Sequence, residues 1–131
     1  MRDRETILKE AKTIAVVGLS SKEHRESNSV AKYLQRSGYR IIPVNPKEQE
    51  VLGEKAYASL KDVPEDIDIV DVFRRAEQTP DVAREAAEVG AKVLWLQLGI
   101  ANDEARRIAE EAGMDVVMDS CIRTEHRMLG V

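Results

Sequence analysis

A chain of 131 residues carries 43% hydrophobic and 34% charged side chains with 7 Gly and 4 Pro, which excludes a disordered tract, a collagen and a low-complexity scaffold. Lys and Arg total 20 against 24 Asp and Glu, a net charge of −4; this argues against a bulk electrostatic grip on nucleic acid or an anionic membrane and leaves any anion site to a local patch. The length suits a single domain, 1–131, whose core needs neither disulfides nor a structural metal.

Met1-Arg2-Asp3-Arg4-Glu5 is charged and leads into no apolar stretch, so no signal peptide is expected. The longest apolar runs, such as Ile14 to Leu19, fall far short of the roughly 18 residues of a membrane span. One cysteine, Cys121, and two histidines are too few for an internal disulfide or a dedicated zinc site. These features predict a cytoplasmic protein.

In chain order, Thr13–Val17 is a first strand, nearly continuous in apolar and β-branched residues, as strands covered on both faces are. Val30 and Leu34 then mark a helix opening near Ser27 and closing at Gly38. Arg40–Val44 is the second strand. From Val51 to Pro64 the pattern breaks, which predicts an irregular crossover with at most one turn of helix. Asp68–Phe73 is the third strand. Thr79-Pro80-Asp81 supplies a capping residue, an early proline and an acid for the next helix, which carries Val82, Ala86 and Val89 and stops at Gly90. Lys92–Leu96 is the fourth strand. Asn102-Asp103-Glu104 opens a helix with Ala105, Ile108, Ala109 and Ala112 on one face, ended by Gly113. Asp115–Met118 is the fifth strand. Strand–helix alternation with right-handed crossovers gives an α/β, doubly wound, parallel five-stranded sheet, which binds ligands at the carboxyl ends of its strands.

The strand ends hold the candidate chemistry. After the first strand, Gly18 fits one place of a dinucleotide fingerprint, but Ser20 and Glu23 stand where its other glycines belong. The loop instead offers Ser20, Ser21, Lys22 and Arg25 before the helix start at Ser27, a set suited to an anion. After the second strand, an NAD site would place an acid to hold the ribose hydroxyls; Pro43-Val44-Asn45-Pro46-Lys47 supplies a stiff turn and a cation. Lys47 suits a phosphate on the adenosine ribose, a group shared by NADP and coenzyme A (CoA). Phe73, after the third strand, reads equally as core or as a flank for a ring or pantetheine arm. Gln97 and Gly99 enter the crevice after the fourth, beside a structural Trp95.

Gly18-Leu19-Ser20, Arg25, Ser27, Val30-Ala31, Gly38-Tyr39-Arg40, Pro43-Val44-Asn45-Pro46, Asp68 through Arg74, Gln97-Leu98-Gly99-Ile100 and Met118-Asp119-Ser120-Cys121 together resemble the small stand-alone CoA-binding domain proteins. That family is similar to the N-terminal CoA-binding domain of the succinyl-CoA synthetase alpha subunit. The resemblance spans essentially the whole chain and implies a Rossmann-like fold holding CoA or an acyl-CoA, extended, across the strand ends. By position it places Ser20, Ser21 and Lys22 at the pyrophosphate with Arg25 nearby, Lys47 at the adenosine phosphate, and Gln97, Leu98 and Gly99 along the pantetheine arm. Ser21, Glu23 and Glu26 depart from a loop that usually carries prolines there.

Catalysis is not expected. On a helix, the five-position step from Cys121 to His126 turns them roughly 140° apart, so Cys121 reads as a structural or ligand-adjacent thiol. Asp66, Asp68 and Asp71 evoke a phospho-receiver domain, but the acid pair needed after the first strand is missing. The synthetases use a histidine from a second domain and a separate nucleotide-grasping subunit. The expectation is therefore a non-enzymatic sensor, carrier or synthetase partner, with a homodimer or a synthetase as the assembly. An NADP-binding oxidoreductase-type domain and an interaction domain with a vestigial pocket are the alternatives.

Overall fold

The computed structural model describes Met1–Val131. Five parallel strands form one sheet: β1 (Thr13–Val17) and β2 (Arg40–Val44), then, beyond a two-stranded hairpin of β3 (Glu50–Val51) and β4 (Glu54–Lys55), β5 (Ile69–Val72), β6 (Val93–Leu96) and β7 (Asp115–Val117). Their order across the sheet is β2-β1-β5-β6-β7. The direction of winding thus reverses between β1 and β5, which opens a crevice above their carboxyl ends. Residue pairing is regular, with Ile14 opposite both Ile41 and Ile69, and Asp71 opposite both Val16 and Trp95.

Burial on both faces explains why the strands read as continuous apolar runs. One face carries Ala15, Val17, Ile42, Val70, Leu94 and Val116 against Ala83 and Ala86 of α3 (Thr79–Glu88) and Ala105 and Ala109 of α4 (Asp103–Glu111). The other carries Ile14, Val16, Ile41, Ile69, Trp95 and Val117 against α1 (Arg4–Glu10), α2 (Glu26–Arg36) and α5 (Ile122–Leu129). Each fully buried Val, Leu or Ile contributes about 1.5–3 kcal/mol relative to exposure. Trp95 is structural, as expected: it is wholly buried and its indole N–H donates to the Ser120 carbonyl at 2.8 Å.

The helix boundaries match the local sequence signals at some ends and depart from them at others. Asn102 caps α4 by accepting the Ala105 N–H at 2.9 Å, and Gly38, Gly90 and Gly113 all take positive φ past their helices. Thr79, expected as a cap, is instead buried inside the first turn of α3, where its hydroxyl donates to the Ala76 carbonyl at 2.7 Å. The expected helix start at Ser27 moves upstream: Arg25 holds the cap position of α2 and Ser27 faces inward. Two elements lie outside the expectations. Helix α1 is capped by Asp3, which accepts the Thr6 N–H at 2.8 Å. The β3–β4 hairpin turns through Leu52 and Gly53, both at positive φ, a geometry that Leu52 does not advertise. The single helical turn expected within 51–64 is present at Leu60–Asp62.

Candidate functional site

Gly18 opens the site. Its φ is +89°, and a Cβ there would stand 2.3 Å from the Phe73 carbonyl oxygen, so only glycine lets the end of β1 pass the end of β5 so closely. The loop that follows is pinned by the first turn of α2. The Ser20 N–H donates to Ser27 Oγ at 3.1 Å, the Asn28 amide donates to the Ser20 carbonyl at 2.8 Å, and the Lys22 N–H donates to Ser20 Oγ at 3.1 Å. Inward-facing Ser27 therefore serves the loop instead of capping the helix.

The turn after β2 is equally fixed. Asn45 is buried; its Oδ1 accepts the Lys47 N–H at 3.0 Å while its amide donates to the Leu19 carbonyl at 3.1 Å. Its own N–H donates to Tyr57, whose N–H returns to the Pro43 carbonyl. The turn thus holds the Lys47 backbone beside the first loop.

Gly18, Ser20, Ser21, Lys22, Arg25, Ser27, Asn45, Lys47 and Phe73 line one cleft of about 740 Å³, joined by Glu26, Glu48 and Arg74. Lys22, Arg25, Lys47 and Arg74 enter no ion pair. Arg2, Arg4, Arg40, Arg84, Arg107 and Arg123 are, by contrast, each spent on a carboxylate. A chain of net charge −4 thus gathers four uncommitted cations where three strand-end loops and a helix N-terminus converge. Arg74 and Glu48 were missed as site residues by sequence reasoning. The Arg74-Arg75 pair after β5 was the available signal for the first, but nothing local marks Glu48, whose Oε2 accepts the Ser21 N–H at 2.8 Å across 27 positions of sequence.

Pro46 lies in a neighbouring apolar recess of about 210 Å³, with Val17, Val44, Leu60 and Val82, and Arg74 borders both spaces. Gln97, Leu98 and Gly99 do not line the cleft. Gln97 is buried and its Oε1 accepts the Ile122 N–H at 3.1 Å, at the start of α5. Leu98 is 71% exposed, and the Gly99 N–H donates to Asp119 Oδ1 at 2.6 Å. Phe73 packs on the core and also walls the cleft.

Cys121 and His126 do not form a pair. Cys121 precedes α5, whereas His126 Nδ1 meets the Tyr33 hydroxyl at 2.7 Å, with both Tyr33 and Tyr39 edge-on to its ring; burial holds its pKa below the ordinary value. Asp68 is structural: its Oδ2 accepts the Lys12 and Thr13 N–H groups at 2.8 and 2.9 Å. No three His, Cys, Asp or Glu side chains gather as a metal cluster, and no helix is long and apolar enough to cross a membrane.

A parallel α/β sheet with a cation-lined cleft at the reversal of strand order is the architecture of a nucleotide-binding domain. The particular kind follows from comparison. A model of the CoA binding domain matches residues 12–127, and the chain belongs to that family. It is 52% identical over 120 residues to YneT of Bacillus subtilis, covering 92% of this chain and 89% of that protein. It is 29% identical to the alpha subunit of the ADP-forming acetate–CoA ligase II of Pyrococcus furiosus, where 83% of this chain matches only 26% of the subunit. Among solved structures, a protein from Pyrococcus horikoshii superposes with a TM-score of 0.94 at 42% identity, covering 99% of this chain and 94% of that one. The Rossmann-like fold expected from the sequence is therefore shown by sequence family and structure alike.

Proposed function

We propose that the protein binds CoA, or an acyl-CoA, in the strand-end cleft and carries out no chemistry of its own, acting as a sensor, carrier or synthetase partner. The single observation that carries this reading is the set of uncommitted cations, Lys22, Arg25, Lys47 and Arg74, gathered in one cleft, where the turn Asn45-Pro46-Lys47 directly after β2 carries a cation in place of the ribose-binding acid of an NAD site. In this reading the loop Ser20–Lys22 and the start of α2 receive the pyrophosphate, since loop N–H groups and a helix N-terminus favour an anion. Lys47 takes the 3′-phosphate from the rigid turn after β2. The recess of Val17, Val44, Pro46, Leu60 and Val82 offers the adenine an apolar slot beside Arg74. Catalysis in the ligases belongs to chains about four times the length that matches here, which supports a binding role for this portion and a synthetase or a second copy as partner.

Thermal shift in the presence of CoA, acetyl-CoA, NADP and NAD tests the reading. Ligand at 100 times its dissociation constant stabilises the fold by about 2.7 kcal/mol, so CoA should raise Tm while NAD at equal concentration does not. A shift with NADP that exceeds the CoA shift would replace this reading with the dinucleotide one.

A further inference from the structure

A second basic surface lies outside the strand-end cleft. Helices α2 and α5 run side by side in the same direction. Arg123, in the first turn of α5, donates to Ser29 Oγ at 2.7 Å and pairs with Glu26 at 3.0 Å. One turn further on, Arg127 lies over the Tyr33 ring, 4.9 Å from its centroid. The two helices border a groove of about 360 Å³, walled by Ser29, Lys32, Tyr33, Arg36, Arg123 and Arg127. Glu23 is the one acid on its wall.

The cations stand in two rows. Lys32 and Arg36 are four residues apart on α2, and Arg123 and Arg127 four apart on α5. Each row therefore holds like charges about one helical turn apart, an arrangement that costs a helix stability. Elsewhere the chain uses the same spacing for attraction, pairing Glu5 with Lys9 and Arg107 with Glu111. Lys32, Arg36 and Arg127 enter no ion pair, and Arg123 has only Glu26. The face of Tyr33 attracts the Arg127 guanidinium without neutralising it. The groove thus keeps positive charge that the chain itself leaves unbalanced.

We propose that this groove docks an extended acidic segment of another protein, with Asp or Glu at alternate positions. Alternate side chains of an extended chain stand about 7 Å apart, close to the rise of about 6 Å between residues four apart on a helix. Successive acids therefore meet successive cations of a row, and the arginines can take a carboxylate through two parallel hydrogen bonds. A second copy of this chain fits less well. The acids on α3 and α4 are largely engaged, Asp81 and Glu104 with Arg84, Glu88 with Lys61 and Glu111 with Arg107, and a contact between two different faces of one chain builds rings or open arrays, not a two-fold pair. A nucleic acid fits less well again, because a chain of net charge −4 repels a long polyanion that runs beyond the groove. The docking does not depend on what the strand-end cleft holds.

Fluorescence anisotropy on the full chain tests the proposal, using a labelled peptide that alternates Glu and Ser, its Gln–Ser counterpart and a single-stranded oligonucleotide of equal charge. The wild type should bind the Glu peptide, lose affinity as salt is raised, and leave the Gln peptide unbound. Lys32→Gln combined with Arg36→Gln should weaken the Glu peptide by roughly three- to thirtyfold, the loss of two exposed ion pairs. The same variant should melt no lower than the wild type, because a like-charge pair is removed; this separates a docking role from a structural one. Lys22→Gln combined with Lys47→Gln, in the strand-end cleft, should bind the peptide as the wild type does. Loss of binding in that cleft variant, full binding in the groove variant, or no binding by the wild type overturns the proposal. Tighter binding of the oligonucleotide assigns the groove to nucleic acid in its place. Self-association of the wild type that the groove variant abolishes, read by sedimentation, assigns it to a second copy.

Discussion

The side-chain amide of Asn45 donates to the Leu19 carbonyl at 3.1 Å, joining the turn after β2 to the loop after β1. Asn45 is buried, and its other end accepts the Lys47 N–H. One amide therefore sets the distance between the two loops that border the cleft. Asn45→Asp keeps the shape and the Lys47 bond, removes the donor and adds a charge near the phosphates. We predict a stability loss of about 1–3 kcal/mol, the cost of an unsatisfied buried partner, and CoA binding weakened at least tenfold. Thermal denaturation and calorimetry on the same variant separate the two effects.

Gly18→Ala should damage the fold. The added Cβ would meet the Phe73 carbonyl at 2.3 Å at a φ of +89°, combining steric overlap with a backbone conformation that alone costs about 1–3 kcal/mol. The expected loss is at least about 2 kcal/mol by denaturant titration. A variant as stable as the wild type would refute this account of the β1–β5 approach.

In the CoA reading, Glu48 should compete with the ligand. Its carboxylate accepts the Ser21 N–H inside a cleft rich in cations, so a phosphate at that N–H must displace it. Glu48→Gln lowers the competing charge while keeping the shape, and CoA affinity should rise about three- to tenfold, which is at most about 1.4 kcal/mol. Calorimetry reads this directly; unchanged or weaker binding contradicts the competition.

Asp71 makes stability depend on pH. Its native pKa is raised, chiefly by burial and then by Cys121, so the folded state binds a proton that the unfolded state releases. The stabilisation is complete below the ordinary carboxyl value of 3.8 and is lost as pH rises through the raised native value. Asp71→Asn, which has no proton to lose, should flatten the decline and be the more stable protein at neutral pH. Denaturation midpoints of both proteins from acid to neutral pH test the sign.

Much of the architecture was legible because its causes are local or periodic. Ile14 to Val17 is a continuous apolar run and Ile69 to Val72 one broken only by Asp71, since helices cover both faces, and Asn102 announces α4 by capping it. Helix α1 escaped because its seven residues bury only Ile7 and Leu8, too few for a period. The hairpin escaped because its strands are two residues each and Leu52 bears the positive φ that glycine usually marks. In the site, Gly18 through Lys22 and Lys47 were readable as a loop and a cation at strand ends. Glu48 was not, because its meaning comes from a loop far away in sequence. The bond by which Gln97 Oε1 accepts the Ile122 N–H at the start of α5 was not legible either, because it depends on where the chain places α5.

The central claim, that the cleft reads the phosphates of CoA through Lys47, is tested most directly by calorimetry on wild type and Lys47→Ala with CoA and dephospho-CoA. A hydrogen bond to a charged group contributes roughly 1.5–3 kcal/mol, and a partly exposed pair falls toward the lower end, so the substitution should weaken CoA binding by roughly ten- to a hundredfold. Dephospho-CoA should lose a similar factor on the wild type, and the variant should bind both ligands almost equally, because the second deletion removes a contact already gone. If Lys47→Ala still prefers CoA by the full wild-type factor, Lys47 does not read the phosphate and the account of the cleft is contradicted.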